Sequence, residues 1–310
     1  MTRSDVQRLR VSRPDGAELA AEVIGEAGHP PVLLVAGADC SMDWWRPEFC
    51  ADLVALGLRV IRYDQRGTGE TTLGPRGTRR EGLPTALRDA LAVLDAAQAL
   101  DAGPGRDAHW VAFSAAGWVA QLAALDHPDR VRSLTLISTR PTGPGSADPD
   151  LPEVADRLAT TWEHPPPEPD WNDQAAVIDH LVDVDRDYAG EEFDEGHERA
   201  IWTATVRRSP GMHRDEGGAD LFDEAPRWRE RLGSLRVPTT VLHGTDDPLF
   251  PIGNGEALAR EIPGARFESL PGVGHELPPR AWKAVVEAVS SAVAGRGSSS
   301  EAGTPNGGAA

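Results

Sequence analysis

Short apolar runs with the composition of buried strands recur along this chain, and most are followed by a stretch of helical periodicity. That alternation restricts the fold more than any other feature. The runs Val32–Ala36 (VLLVA), Arg59–Tyr63 (RVIRY), His109–Phe113 and Leu134–Ile137 have strand length. Between them lie a helix-like stretch at Phe49–Leu56 that stops at Gly57, a segment opened by Pro84 with Leu87, Leu91 and Leu94 at helical spacing, and an alanine-rich helix at Ala115–His127. An all-apolar run suits a strand covered on both faces. The expected class is therefore α/β, a mostly parallel sheet flanked by helices. Ahead of it, Val6–Val11 and Ala17–Ile24 flank Pro14-Asp15-Gly16, a hairpin signal.

The alternation stops near Arg140 and resumes with Thr239–His243 as strand, Gly255–Ile262 as helix, Ala265–Leu270 as strand and Ala281–Val293 as helix. The gap of roughly 90 residues is too long for a single connection. It is rich in Pro, Asp, Glu and Trp, contains the run His164-Pro165-Pro166-Pro167, and looks helical at Ala175–Val184 and Arg199–Arg208. It reads as a helical lid over 141–232, inserted into a core made of 1–140 and 233–294. The tail 295–310 (GRGSSSEAGTPNGGAA) has the composition of a disordered segment.

Composition narrows the partners. Forty per cent hydrophobic residues suffice for a large core, and a formal net charge of −18 repels a phosphate backbone or an anionic membrane. Neither nucleic acid nor membrane is an expected partner. Two cysteines, Cys40 and Cys50, lack metal-ligand spacing and suit a reducing compartment. The opening MTRSDVQRLRVSRPDG has no apolar signal region, so the expected location is cytoplasmic.

The chemistry centres on Val111-Ala112-Phe113-Ser114-Ala115-Ala116-Gly117, where a strand runs into a serine and a helix leaves it. Alone, a serine there is an ordinary helix cap. It is also the layout of a nucleophile elbow, a strained turn that needs small residues two positions either side of the serine. Here those positions are Ala112 and Ala116, where G-x-S-x-G has glycine.

A nucleophilic serine requires a base, and the base requires an acid. Beyond the insertion, Gly244-Thr245-Asp246-Asp247-Pro248 follows one strand and Pro271-Gly272-Val273-Gly274-His275-Glu276 the next. Both fall at the sheet edge that would carry Ser114. The order Ser, Asp, His fits this fold, with His275 as base and either Asp246 or Asp247 as acid. An oxyanion hole needs two backbone N–H groups. Ala115 supplies one, and Ala38, after Gly37, supplies the other.

The pieces VLLVAGA, VIRYDQRGTGETT, HWVAFSAAGWVAQLAALDHPDRVRSLTLIS, VPTTVLHGTDDPLFP and LPGVGHELP resemble the α/β-hydrolase superfamily over about residues 15–294. Within it, LLVAGADCSMDWW, IRYDQRGTG and ALDHPDRVRSLTL are most similar to the aclacinomycin methylesterase-like serine esterases, which cleave a methyl ester of an anthracycline polyketide. The resemblance assigns the acid to Asp247, the aspartate before proline, and Asp64 and Arg66 to a structural loop. It implies neither metal nor organic cofactor. The departures are the two elbow alanines and Ala36, where many relatives carry histidine.

Nine tryptophans, two of them beside the presumed oxyanion loop, favour a bulky apolar or planar substrate. Gly37, Trp45 and Trp118 are the expected pocket residues. The expected activity is ester hydrolysis on a small molecule such as a secondary metabolite. Cyclisation, lyase or C–C cleavage chemistry on the same scaffold, proline iminopeptidase activity, and ligand binding without turnover are the alternatives; homodimer formation is left open.

Overall fold

Among the described residues, eight strands pair in one sheet in the order β1-β2-β4-β3-β5-β6-β7-β8. The computed structural model describes residues 6–73, 82–101, 105–143, 148–209 and 227–297. The hairpin β1 (Val6–Ser12) and β2 (Glu18–Ile24) is antiparallel, and β2 pairs antiparallel with β4 (Arg59–Tyr63). The strands β3 (Pro31–Val35), β5 (Ala108–Phe113), β6 (Val131–Ile137), β7 (Thr239–Gly244) and β8 (Arg266–Leu270) continue it in parallel from β4. A parallel sheet collects the C-terminal ends of its strands on one edge, and β3, β5, β7 and β8 all end there.

The residues that read as continuously apolar divide between two faces with the period of two that a pleated strand imposes. Leu33 and Val35 of β3 and Trp110 and Ala112 of β5 join the core beneath α2 (Gly82–Gln98), α3 (Ala116–Asp126) and α7 (Gly253–Glu261). Val32, Leu34, Val111 and Phe113 point the other way, toward α1 (Pro47–Ala55) and α8 (Pro279–Gly297). Each fully buried Leu, Val or Phe contributes about 1.5–3 kcal/mol, so both faces are needed to offset the entropy of ordering the chain.

Between β6 and β7 come α4 (Asp156–Glu163), α5 (Gln174–Tyr188) and α6 (Glu195–Arg208). The two helices expected here are present and longer than expected. The first, α4, was not anticipated: of its eight residues only Leu158 is buried, which leaves no apolar period to read. The stretches 144–147 and 210–226 of the expected lid, and 298–310 of the expected tail, lie outside the described residues.

The inserted helices are tied to the core by polar contacts. Arg208, at the end of α6, pairs with Asp43 at 2.5 Å and with the fully buried Asp64. Ser41 Oγ and Thr205 Oγ1 are hydrogen-bonded at 2.8 Å. Asp64 also accepts the amides of Met42 and Glu70 at 2.9 Å each, so the DQRGTG loop braces this edge of the sheet. Among the described residues, no helix is long and apolar enough to cross a membrane.

Candidate active site

β5 delivers Ser114 into a backbone turn with φ +55°, a left-handed conformation that a non-glycine residue adopts only when its surroundings enforce it. The enforcement is visible on both sides. The Ser114 amide donates to Ile137 O at 2.9 Å, and the Gly117 amide donates to Ser114 O at 2.8 Å. Ala112 and Ala116 are buried in the helix-covered core, where their methyl groups fit. The position that cannot accept a side chain is Gly117: a Cβ there would lie 2.5 Å from Thr139 Oγ1.

The ends of β7 and β8 bring two further groups to this turn. His275 Nε2 is 2.8 Å from Ser114 Oγ. His275 Nδ1 is 2.8 Å from Asp247 Oδ2. A carboxylate only accepts, so Nδ1–H donates to Asp247 and Nε2 is left to accept from the serine hydroxyl. Asp247 Oδ1 is held by the amides of Leu249 and Phe250 at 2.9 and 2.8 Å. Burial alone would raise the Asp247 pKa, but the His275 and His243 rings outweigh it and hold the carboxyl well below its usual range. The neighbouring Asp246 accepts instead from Thr245 Oγ1 at 2.7 Å. His243 is fully buried, donates from Nε2 to Phe250 O at 2.6 Å and lies 3.5 Å from Asp247 Oδ2.

Gly37 lies against the serine: a Cβ on it would sit 3.1 Å from the Phe113 ring and 3.4 Å from Ser114 Cβ. Ala38 lines the cavity beside Ser114 and Ala115 follows the serine in the chain; among the described residues neither amide donates a hydrogen bond. The carbonyls of Ala36 and Gly37 both accept from Gln65 Nε2 at 2.6 Å. Gln65 was not anticipated, because its reach to a distant strand end leaves no local pattern.

Ser114 and His275 open into a cavity of about 300 Å³ between the sheet edge and α5–α6. Trp44, Phe113, Leu181, Val184 and Leu249 give it a mainly apolar wall. Two of the expected pocket residues are elsewhere. Trp45 is buried in the core on Phe49, with ring centroids 5.4 Å apart, and Trp118 packs beside Phe250. Neither lines the cavity. The reason is the short turn Met42–Trp44, which sets the two neighbouring indoles nearly perpendicular, at 87°, and presents Trp44 instead. Trp44 stacks on Phe113 at 4.2 Å.

The cavity also contains carboxyls that the sequence did not signal. Asp185 of α5, Glu198 of α6 and Glu276 line it. Burial raises the pKa of each, and for Glu198 the neighbouring charges of Asp185 and Glu276 add to the rise. Among the described residues, no group of three or more His, Cys, Asp or Glu side chains could hold a metal ion.

Residues 30–279 match the family defined by the alpha/beta hydrolase fold. This chain belongs to that family. It is an enzyme of the hydrolase class, and its relatives agree with the fold. Rhodomycin D methylesterase DnrP of Streptomyces peucetius is 29% identical over 294 residues, covering 87% of this chain and 92% of the relative. Esterase RhEst1 of Rhodococcus sp. ECU1013 superposes with a TM-score of 0.71 at 23% identity, over 93% of this chain and 99% of that one. A meta-cleavage product hydrolase of Pseudomonas fluorescens has a TM-score of 0.70 at 20% identity, over 94% and 98%.

Proposed function

We propose that this α/β-hydrolase cleaves a carboxylic ester of a bulky, apolar small molecule, with Ser114 as nucleophile, His275 as general base and Asp247 as the acid that orients the base. The observation that carries the reading is the continuous chain Asp247–His275–Ser114, two contacts of 2.8 Å that end at the wall of a cavity with an aromatic and aliphatic side.

In this mechanism His275 Nε2 takes the hydroxyl proton as Ser114 Oγ attacks the ester carbonyl. Asp247, held charged, stabilises the imidazolium that results. The amides of Ala38 and Ala115 receive the negative charge that forms on the carbonyl oxygen. Collapse expels the alcohol, which takes the proton from His275. Water, deprotonated by the same ring, then releases the acid and restores Ser114. The helices α5 and α6 act as the lid that limits water access. No metal or organic cofactor takes part.

The wall formed by Trp44 and Phe113 favours a flat aromatic acyl compound. The methylesterase relative supports methanol as the alcohol released, and a secondary metabolite as the substrate. The test is product analysis with methyl esters of polycyclic aromatic acids. Equimolar free acid and methanol are expected, each absent with Ser114→Ala. A product lacking the added water, or cleavage at a carbon–carbon bond, would contradict the reading.

A further inference from the structure

The cavity that receives Ser114 is unbalanced in charge. Asp39, Asp185, Glu198 and Glu276 line it, and no Lys or Arg does among the described residues. Asp185 and Glu198 are joined by a side-chain hydrogen bond, and Asp185 also accepts from the Trp202 indole. This dyad uses its one shared proton internally, so its remaining oxygens can only accept.

A second observation comes from a different element. Glu276 is on the loop beside His275, not on the inserted helices, and is only 6% exposed. Its Oε1 accepts the Gly190 amide at 3.2 Å and faces Arg280 at 3.5 Å. Its Oε2 is buried with no hydrogen-bond partner. A buried carboxylate oxygen left without a donor is costly, and a ligand that supplies donors removes that cost.

We propose that this wall is a subsite for a protonated amine on the substrate, held between the Asp185–Glu198 dyad and Glu276 Oε2. The inference rests on the ester-hydrolase reading and adds the substrate's charge to it. An ammonium group carries three donors and no acceptor, which is what these oxygens lack. Its positive charge gains most where water is scarce and the carboxyls are already in place.

The acid–base behaviour agrees. Burial pushes both dyad carboxyls up, so toward acid pH the empty subsite takes up a proton beyond the shared one, and that proton competes with an incoming cation. The other titratable groups facing it are Asp39, Cys40, Tyr188 and His275 along the cavity, Asp194 beside Glu198 and Arg280 behind Glu276. Apart from His275 and Arg280, none of these is basic. The preference for an amine therefore grows as pH rises from about 6 to about 8.

The experiment uses paired methyl esters of one aromatic acid, bearing on arms of two lengths either a primary amine or a hydroxyl. For wild type, kcat/KM for the better amine is expected to exceed that of its hydroxyl partner by about tenfold or more. That ratio falls toward one in Asp185→Asn and in Glu276→Gln. Equal values in wild type, or a ratio unchanged in both variants, would overturn the proposal. A second arm does not depend on turnover: calorimetry of the corresponding non-hydrolysable amides with Ser114→Ala. Tighter binding of the amine by about tenfold supports the subsite even if no ester is cleaved, and equal binding removes it.

Discussion

Gly274 and Gly190 meet backbone to backbone. A Cβ built on Gly274 would fall 2.3 Å from Gly190 N and 2.5 Å from Tyr188 O, and one built on Gly190 would fall 2.2 Å from Gly272 O. Beside this contact the His275 amide donates to Tyr188 O at 2.7 Å. The loop that carries the histidine is thus seated on the end of α5, and the inserted helices position a group on the core.

Alanine at either glycine should push that loop away from the serine. Gly274→Ala and Gly190→Ala are each expected to lower kcat by about tenfold or more, because a shift of roughly 1 Å in a catalytic group costs about that or more. Gly233→Ala, where a Cβ meets nothing within 4 Å, is the matched control. Equal steady-state rates for all three variants would remove the positioning role.

Asp247→Asn keeps the size of the side chain but can turn an amide donor toward His275 Nδ1. The ring then has no acceptor there and adopts the tautomer that cannot take the serine proton. A fall in kcat on the order of 10³–10⁴ is expected, with little change in thermal stability beyond the loss of the ion pair. A fall smaller than about tenfold would assign the orienting role elsewhere.

Glu198 predicts a pH dependence of stability. Its carboxyl is raised to about 9 in the folded chain, chiefly by burial and next by Asp185, against an ordinary value in the unfolded chain. Between those two values the folded state binds the proton and the unfolded state does not. Stability therefore declines as pH rises through that window. Glu198→Gln, which stays neutral in both states, should raise Tm more at about pH 8.5 than at about pH 5. Differential scanning calorimetry at the two pH values checks this, and an equal shift at both would contradict it.

Much of this architecture is legible in the chain because it depends on local patterns. VLLVA is apolar on every residue, and a short strand covered on both faces accommodates that. Ser114, Asp247 and His275 each follow a recognisable strand, so a parallel sheet brings them to one edge. The cavity wall is less legible. Trp44 and Trp45 are adjacent and chemically identical, and a three-residue turn decides which one faces the cavity. Asp185 and Glu198 are ordinary acidic residues of amphipathic helices until the rotation of α5 against α6 turns them inward. Glu276 is the exception: a second titratable group directly after His275 is a signal that local reading could have used.

The most direct test of the central claim is covalent labelling by a fluorophosphonate, read by peptide mass spectrometry alongside turnover of a short p-nitrophenyl ester. A stoichiometric adduct on Ser114 is expected in wild type. Ester turnover should fall by several orders of magnitude in Ser114→Ala, on the order of 10³ or more. An unmodified Ser114, together with equal turnover in the two proteins, would contradict a nucleophilic serine and the acyl-enzyme mechanism built on it.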